Sequence, residues 1–314
     1  MEEALYSQFG FFNTDLVRSA KKGDFLTSPE VSIYFGKILR NWINTSCNLN
    51  KIVEIGSGTG SLIEQIGIKE ITAIELSSTA REELINKGIM THTNVNELTL
   101  EKSELVFGNE ILDNIPCSIG IYRDKVWYEK VVAIQENSFS YDIKPIRNEE
   151  LDWINKNNIV PNEDHELEIQ VNIDKFLNTV IKKISPKNIL LFDYGYEQAN
   201  REKRKYNSLL RTYKNHHLSV DPIEDPGNID ITYDVNFSSL SRELKTLGYD
   251  VTLKLQRNFL LENGFDIIFD ELQEKYLVAE GMEKLKINSE LNGLKAIVDS
   301  NGLGGFYCLN AQKL

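Results

Sequence analysis

Short apolar runs alternate with amphipathic stretches along the first third of the chain, and this alternation predicts an α/β fold with parallel strands. The runs Ile52–Ile55, Ile71–Glu75 and Leu105–Gly108 each have the length of a buried strand. Residues 61–68 and 78–87 carry apolar side chains at helical spacing between these runs. Further strands are predicted at 89–93, 187–193, 249–255 and 305–310.

The chain leaves this alternation after Cys117. Residues 117–146 alternate in polarity and have turn signals at Arg123-Asp124 and Glu136-Asn137, which predicts a β-meander. Helical patterns follow up to residue 184. The departure from the βα alternation predicts that this segment is an insertion into the sheet, of the kind that shapes a substrate site. The predicted organisation is an N-terminal helical cap at 1–45, a core of 46–116 with 186–314, and a β-rich and helical insertion at 117–185.

The N-terminal cap is predicted to contain two helical pieces. Ser28, Pro29 and Glu30 have the chemistry of a helix start, with Ser28 as the N-cap, proline next and an acid in the first turn. Apolar side chains from Val31 to Trp42 recur at helical spacing, which predicts one amphipathic helix. By local chemistry alone, the three residues predict a helix start and no more.

The sequence KIVEIGSGTG at 51–60 predicts a strand that runs directly into a glycine turn. Gly56, Gly58 and Gly60 would let the backbone approach a cofactor, because no Cβ intervenes and the next helix offers free N–H groups. A dinucleotide fingerprint would need glycine at position 61, where this chain has Ser61. The spacing E-x-G-x-G-x-G is typical of class I S-adenosylmethionine (SAM) methyltransferases, with another nucleotide-binding βαβ unit as the alternative.

Polar residues follow the predicted strands at the edge where open α/β sheets bind ligands. Glu75 lies one βαβ step beyond Gly56, where a carboxylate can accept hydrogen bonds from both hydroxyls of a cofactor ribose. Asn109, Glu110 and Asp113 follow a later strand. If that turn is helical, Glu110 and Asp113 share one face; a helix merely capped by acids is the alternative.

Composition limits the classes of partner. The formal net charge of -12 disfavours nucleic acid and suits a cationic substrate or a basic partner, although it suits solubility equally well. No apolar run is long enough to predict a membrane span. The histidines lack metal spacing and the three cysteines are scattered, so no metal site is predicted. The acidic, amphipathic N-terminus is unlike a signal or transit peptide, which predicts a cytoplasmic location.

The segment 194–234 shows no long periodic element, which is uncommon in a compact domain unless the segment is functional. It contains Arg211, Tyr213 and His216. These side chains either build the substrate side of the site or form an ion-pair network that holds a long loop, and the residues alone leave both interpretations open.

Several motifs occur together in the order found in the MidA family of class I methyltransferases, and the chain resembles that family from Tyr6 to about Gly264. The most diagnostic match is LRTYKNHHLSVDPIEDPGNIDITYDVNFSSL at 210–240. Two positions depart from the family pattern: Ser57 replaces a proline and Asn236 replaces an aspartate. The other matching blocks are GDFLTSPE (23–30), VEIGSGTGSL (53–62), AIELS (73–77), GNEILDNIP (108–116) and LLFDYG (190–195).

The resemblance implies a Rossmann-like methyltransferase sheet, mostly parallel and seven-stranded, that binds S-adenosyl-L-methionine. Because the family's mitochondrial members symmetrically dimethylate arginine on a complex I subunit, it also implies a protein substrate, with a respiratory-complex subunit as one candidate. The oligomeric state stays open, and an oligomer is compatible with the pattern. The residues assigned to the cofactor are Ser28, Pro29, Glu30, Glu54, Gly56, Ser57, Gly58, Gly60, Glu75, Leu76, Thr93, Asn94 and Asn109.

Glu110 and Asp113 are the predicted catalytic residues. A guanidinium acceptor arrives as a cation and needs carboxylates to bind and orient its planar fork. Arg211, Tyr213 and His216 are expected to bind the substrate. Two alternatives stay open, namely a methyltransferase for a small molecule or another protein side chain, and a SAM-binding assembly factor with little turnover.

Overall fold

Strands and helices follow one another in alternation through the first third of the computed structural model. The structure describes residues 1–13, 27–99, 101–136, 138–161, 163–203, 209–214, 217–218 and 220–314. The strands are β1 (Ile52–Ile55), β2 (Ile71–Ile74), β3 (Thr91–His92), β4 (Leu105–Asn109), β5 (Ser118–Arg123), β6 (Val126–Gln135), β7 (Ser138–Pro145), β8 (His165–Ile169), β9 (Asn188–Asp193), β10 (Gly195–Tyr196), β11 (Leu210–Lys214), β12 (His217–Leu218), β13 (Asp230–Tyr233), β14 (Val235–Asn236), β15 (Tyr249–Leu255) and β16 (Tyr307–Lys313). The helices are α1 (Glu2–Tyr6), α2 (Ser28–Val31), α3 (Tyr34–Ser46), α4 (Ser61–Ile66), α5 (Ser78–Asn86), α6 (Asn148–Lys156), α7 (Val171–Ile184), α8 (Phe237–Thr246), α9 (Gln256–Glu262), α10 (Phe265–Val278) and α11 (Gly281–Ala296).

A seven-stranded sheet lies at the centre, with the strand order β15-β16-β9-β4-β1-β2-β3. β1 pairs in parallel with β2 and β4, and β4 pairs in parallel with β9. β16 runs antiparallel to its neighbours β9 and β15. The predicted α/β class and the mostly parallel, seven-stranded sheet are confirmed. The parallel register brings the carboxyl ends of β1, β2, β3, β4 and β9 to one edge, where open α/β sheets bind ligands.

Helices cover both faces of this sheet, which explains why its inner strands β1, β4 and β9 are mostly apolar. Ile52 packs in a cluster with α3 and the C-terminal helices, whereas its neighbour Val53 packs in a second cluster with α7. The helices α3 and α7 therefore pack on the central sheet, although the predicted boundaries assign them to the cap and the insertion. Those boundaries stay a prediction.

The insertion forms a four-stranded antiparallel sheet in the order β7-β6-β5-β8. Asp124 and Lys125 make the turn between β5 and β6, both with positive φ (+49° and +64°), as in two-residue hairpin turns that match the strand twist. The meander is confirmed, with this turn one residue later than predicted. The strand β8, which pairs antiparallel with β5, is missing from the prediction.

The helix predicted from Ser28 onward is two helices in the structure. The chain is extended at Ser32 (φ -145°, ψ 123°), whose hydroxyl accepts the N–H of Tyr34 and so starts the second helix. The N-cap is Thr27 rather than Ser28, and the Glu30 carboxylate accepts the Thr27 N–H at 3.1 Å. The predicted helix start is therefore wrong by one residue.

Short strands organise the segment 194–234. β10 pairs with β14, and β11 pairs antiparallel with both β12 and β13. Strands of two to five residues leave no periodic pattern, and this explains why no element was predicted here.

Candidate active site

A cavity of about 490 Å³ opens at the carboxyl edge of the central sheet. Its walls are the glycine turn after β1, the residues that follow β2, β3 and β4, and part of α2. The structure thus brings most of the predicted site residues around one space. Those in the lining are Pro29, Glu30, Glu54, Gly56, Ser57, Gly58, Glu75, Leu76, Thr93, Asn94, Asn109 and Glu110.

The glycine turn is attached to the neighbouring strand by its backbone. The N–H of Gly56 donates to the carbonyl of Ile74 at 2.8 Å. Gly56 and Gly58 have φ of +70° and +52°, a region that residues with a Cβ rarely adopt. Gly60 lies outside the lining, and a Cβ there would approach Leu84 Cδ2 to 2.7 Å, so this glycine serves the packing of the turn on α5.

Glu75 ties the glycine turn to the start of α5. Its Oε2 accepts the N–H of Gly58 at 2.8 Å, and its Oε1 accepts the N–H of Ser77 at 2.7 Å. Burial raises the pKa of this carboxyl, while the backbone donors and Arg81 oppose the rise. Each carboxylate oxygen accepts more than one hydrogen bond, so Glu75 keeps capacity for the predicted ribose hydroxyls.

The wall at the end of β3 combines polar and apolar groups. The carboxylate of Glu97 accepts the N–H of Thr93 at 2.9 Å and the side-chain amide of Asn94 at 3.0 Å. Leu76 is 42% exposed in the same lining. The wall thus combines polar groups held by Glu97 with an apolar side chain, as ligand pockets commonly do.

Glu54 is a buried acid whose side chain lacks a full set of partners. It is 2% exposed, and among the described residues its Oε2 has no hydrogen-bond partner. Burial raises its pKa well above the ordinary value, and the charge of Glu75 adds to the rise. A buried acceptor without a donor is costly, so the atom suits a ligand group that donates hydrogen bonds.

Glu110 has a strained backbone in the cavity wall, with φ of +54°. Its N–H donates to the carbonyl of Phe192 in β9 at 2.8 Å. Its Oε1 accepts the N–H of Ser28 at 3.2 Å and the amide of Asn109 at 2.8 Å. A non-glycine residue in this region costs about 1–3 kcal/mol and is common at functional sites.

The carboxyl of Glu110 is also electrostatically unusual. Burial raises its pKa to about 8, and the nearby charges of Asp113 and Glu30 add to the rise. The donors Asn109 and Ser28 act in the opposite direction. The group therefore keeps its proton at neutral pH unless a cation binds beside it.

Asp113 lies outside the lining of the cavity and is 4% exposed. The residues after Glu110 form turns instead of a helix, so the two acids do not share a helix face. The Asp113 carboxylate accepts the hydroxyl of Tyr194. Burial raises its pKa to about 6, while Tyr194 and Arg211 oppose the rise. Its catalytic role stays a prediction.

Arg211 lies next to the Tyr194 ring, whose hydroxyl donates to Asp113. Its Nη2 lies 2.8 Å from Asp234 Oδ1, and its guanidinium lies 5.0 Å from the centre of the Tyr194 ring. Arg211 and Tyr213 are outside the cavity lining, and His216 lies outside the described residues. For Arg211, the structure favours the ion-pair interpretation of the segment 194–234.

Aromatic residues that sequence reasoning missed close part of the cavity. Tyr6, Phe12 and Phe176 belong to its lining. The Tyr6 hydroxyl donates to the carbonyl of Asn114 at 3.1 Å, and the rings of Tyr6 and Phe12 stack with centroids 5.5 Å apart. No local pattern identifies these side chains, because distant packing brings them to the sheet edge.

Asp193 is a further supporting residue that was missed, although its position carries a signal. It ends the buried strand β9 in the same way as Glu75 follows β2. Its Oδ2 accepts the N–H of Leu112 at 2.8 Å, and its Oδ1 accepts the N–H of Tyr194 at 2.9 Å. Asp193 therefore fixes the turn that follows Glu110.

The acidic lining of the cavity fits S-adenosyl-L-methionine, whose ammonium and sulfonium groups are cationic. The described lining includes the carboxyls of Glu30, Glu54, Glu75 and Glu110 and no lysine, arginine or histidine. Glu54 Oε2 supplies the unsatisfied acceptor that an ammonium group would complete. Within the ranges that the structure describes, no group of His, Cys, Asp and Glu could hold a metal ion, and no helix is long and apolar enough to cross a membrane.

Residues 36–253, well over half of the chain, match the family model described as "Putative S-adenosyl-L-methionine-dependent methyltransferase". The chain belongs to this family. The resemblance to the MidA family is thereby confirmed, the chain is a SAM-dependent methyltransferase, and S-adenosyl-L-methionine is its cofactor.

Similar proteins agree with this assignment. The protein arginine methyltransferase NDUFAF7 homolog of Caenorhabditis elegans, named as mitochondrial, is 25% identical over 309 residues, covering 83% of this chain and 70% of that protein. The mitochondrial NDUFAF7 of Rattus norvegicus is 25% identical over 300 residues, covering 81% and 67%. The cytoplasmic location expected from the sequence of this chain has no support from these names and stays a prediction.

A solved structure shows the same fold. It is a COG1565 superfamily member from Burkholderia thailandensis, bound to S-adenosyl-homocysteine. The TM-score is 0.85 at 23% sequence identity, and the match covers 99% of this chain and 86% of that one.

Proposed function

We propose that this methyltransferase transfers methyl groups to an arginine side chain of a protein substrate. The observation that carries the proposal is Glu110, a buried carboxyl in a cavity whose described lining has carboxyls and no basic side chain. A guanidinium is cationic at every working pH, and its planar fork pairs well with a carboxylate. The relatives from C. elegans and rat are named protein arginine methyltransferases, which supports the same substrate class.

The proposed chemistry assigns Glu110 two tasks. S-adenosyl-L-methionine supplies an electrophilic methyl group when it is bound. The guanidinium cation lowers the pKa of the Glu110 carboxyl as it binds, so this carboxyl ionises and orients the acceptor nitrogen. Methylation of a guanidinium cation releases one proton from that nitrogen. The Glu110 carboxylate beside it accepts this proton, because burial and the nearby charges of Asp113 and Glu30 favour the protonated form of the group.

The remaining residues position groups and exclude water, which provides most of the acceleration in a displacement of this kind. In the proposal, Glu75 and the glycine turn hold the cofactor, and Tyr6 with Phe12 shields the cavity from solvent. Asp113 acts as a positioning residue through Tyr194, and Arg211 supports Tyr194 from behind.

The test uses the purified chain, methyl-labelled S-adenosyl-L-methionine and cell extract, followed by hydrolysis and mass spectrometry. Label in monomethyl- or dimethylarginine from protein is the expected result. Label in another amino acid or in a small molecule would contradict the arginine acceptor. Binding of S-adenosyl-L-methionine in calorimetry without any labelled product would favour an assembly factor instead.

A further inference from the structure

Gln256 is a fully buried side chain that connects the C-terminal helices with α2. It is 0% exposed at the start of α9. Its Nε2 donates to the carbonyl of Ile297 at 3.0 Å and to the hydroxyl of Ser28 at 3.1 Å. Its backbone N–H donates to the carbonyl of Phe306 at 2.7 Å. A buried amide with this set of partners is fixed in one orientation.

Ser28 passes this constraint on to the cavity. The residue is 0% exposed and lies outside the cavity lining. Its backbone N–H donates to Oε1 of Glu110, while its hydroxyl oxygen accepts the side-chain amide N–H of Gln256. Ser28 is thus the physical link between a buried amide and the carboxyl of the cavity wall.

A second contact clamps the same short helix. Gly293 of α11 lies so close to α2 that a Cβ would approach the carbonyl oxygen of Val31 to 2.6 Å. The position of α2 is therefore restricted by α11. The Gln256 amide also donates to the carbonyl of Ile297, the residue after α11, and to the hydroxyl of Ser28 in α2. Two independent contacts couple the C-terminal helices to the segment that holds Glu110.

We propose that Gln256 is a positioning residue for Glu110, which acts by holding Ser28 so that its N–H points at the carboxylate. The effect of Gln256 on methyl transfer rests on the proposed role of Glu110 in binding the methyl acceptor. The coupling between Gln256 and the Glu110 carboxyl itself holds for any acceptor.

Other groups also face the Glu110 carboxyl, and their influence must be kept constant. Asp113 from the following turn and Glu30 from α2 raise its pKa, Asn109 from β4 lowers it, and Glu110 in turn raises the pKa of Asp193 at the end of β9. The described hydrogen bonds of Gln256 reach none of these side chains. A substitution at Gln256 therefore affects the Ser28 N–H that donates to Glu110 and leaves the charged side chains around Glu110 unchanged.

The experiment is a direct titration of Glu110 in the full chain. Carboxyl-¹³C-labelled glutamate gives one NMR signal for each glutamate, and Glu110→Gln identifies the signal of Glu110. Gln256→Met removes the amide at nearly constant volume. Because the displaced Ser28 N–H no longer stabilises the carboxylate, the midpoint of Glu110 should rise by about one pH unit.

Three further variants separate positioning from general damage. Ser28→Ala removes the hydroxyl that Gln256 holds and should raise the midpoint similarly, and the double variant should add little to either change. Asn188→Leu is the control, since Asn188 is buried at the amino end of β9 and donates to the carbonyl of Glu104 at 3.1 Å. It should lower stability and leave the Glu110 midpoint unchanged.

An unchanged midpoint in folded Gln256→Met overturns the proposal. If that variant does not fold, Ser28→Ala, which loses a single oxygen, decides in the same way. The titration needs no methyl acceptor. Failure to find methylarginine would therefore leave its result intact, and an unchanged midpoint would leave the arginine proposal intact.

Discussion

The two walls of the cavity are built from contacts of very different range along the chain. The cofactor wall is our name for the proposed cofactor side, the glycine turn and Glu75. There, the Glu75 carboxylate accepts the N–H groups of Gly58 and Ser77, which are 17 and 2 residues away. The acceptor wall is our name for the proposed acceptor side, Glu110 and the turn 110–116. There, the Glu110 carboxylate accepts the N–H of Ser28, 82 residues away. One βαβ unit specifies the first wall, whereas the second exists only when distant segments have folded together.

This difference predicts which substitutions should affect cofactor binding and which should affect methyl transfer. In the proposal, cofactor binding depends mainly on the glycine turn and Glu75, so substitutions in the acceptor wall should disturb it little. The acceptor wall depends on α2, on the end of β9 and on the C-terminal helices. Changes in these segments should therefore affect methyl transfer more than they affect affinity for S-adenosyl-L-methionine.

The largest expected effect separates the two walls directly. Glu110→Gln should lower methyl transfer by about 10³-fold, because the neutral amide neither pairs with a cation nor accepts a proton. Affinity for S-adenosyl-L-methionine in calorimetry should stay close to that of the wild type. Glu243→Gln, a buried acid in α8 that pairs with Lys156, is the control and should keep activity. Transfer that survives in Glu110→Gln would remove this residue from the acceptor wall.

The second prediction addresses the cofactor wall. Gly58→Val should weaken binding of S-adenosyl-L-methionine by about 100-fold, because a β-branched side chain opposes the left-handed backbone that points the N–H at Glu75. Gly88→Val is the matched control, since Gly88 also has positive φ (+75°) and a Cβ there meets nothing within 4 Å. Calorimetry on both variants tests this. Equal losses of affinity would mean that general strain, and not the site, causes the effect.

The third prediction asks whether the buried layer behind the acceptor wall matters. Asp113→Asn should lower methyl transfer about tenfold at unchanged cofactor affinity, because it removes the charge that Tyr194 and Arg211 surround. Asp174→Asn is a matched control, since burial raises the pKa of Asp174 to about 6 as well, yet its partner is Lys156. Steady-state kinetics should show a loss for Asp113 alone. Equal activity of both variants would confine Asp113 to a structural role.

The smallest effect is a pH dependence of stability. The pKa of Glu110 rises from 4.5 to about 8 on folding, so within this window the folded state holds a proton that the unfolded state has lost. Stability due to this group therefore falls as the pH rises through the window. Glu110→Gln removes the effect, and its melting temperature should gain a few degrees on the wild type between about pH 5 and pH 8. A difference that stays constant with pH would contradict the raised pKa.

The sequence by itself determined the central sheet and the cofactor wall. β1, β2 and β4 are short and mostly apolar because both faces of the sheet are buried, and the glycine turn with Glu75 lies within one βαβ unit. Patterns of this length can be recognised locally. The family blocks then extended the prediction to Asn109 and Glu110, which the structure places in the cavity lining.

Only the tertiary structure decided three further features. The Asp113 side chain binds Tyr194 outside the cavity lining, Arg211 is buried, and Tyr6 lines the cavity. Each of these outcomes depends on partners more than twenty residues away, such as Tyr194 for Asp113 and Asn114 for Tyr6. A local pattern carries no information on which distant segments will meet. The link from Gln256 through Ser28 to Glu110 spans 228 and then 82 residues, so it becomes visible only when the chain is folded.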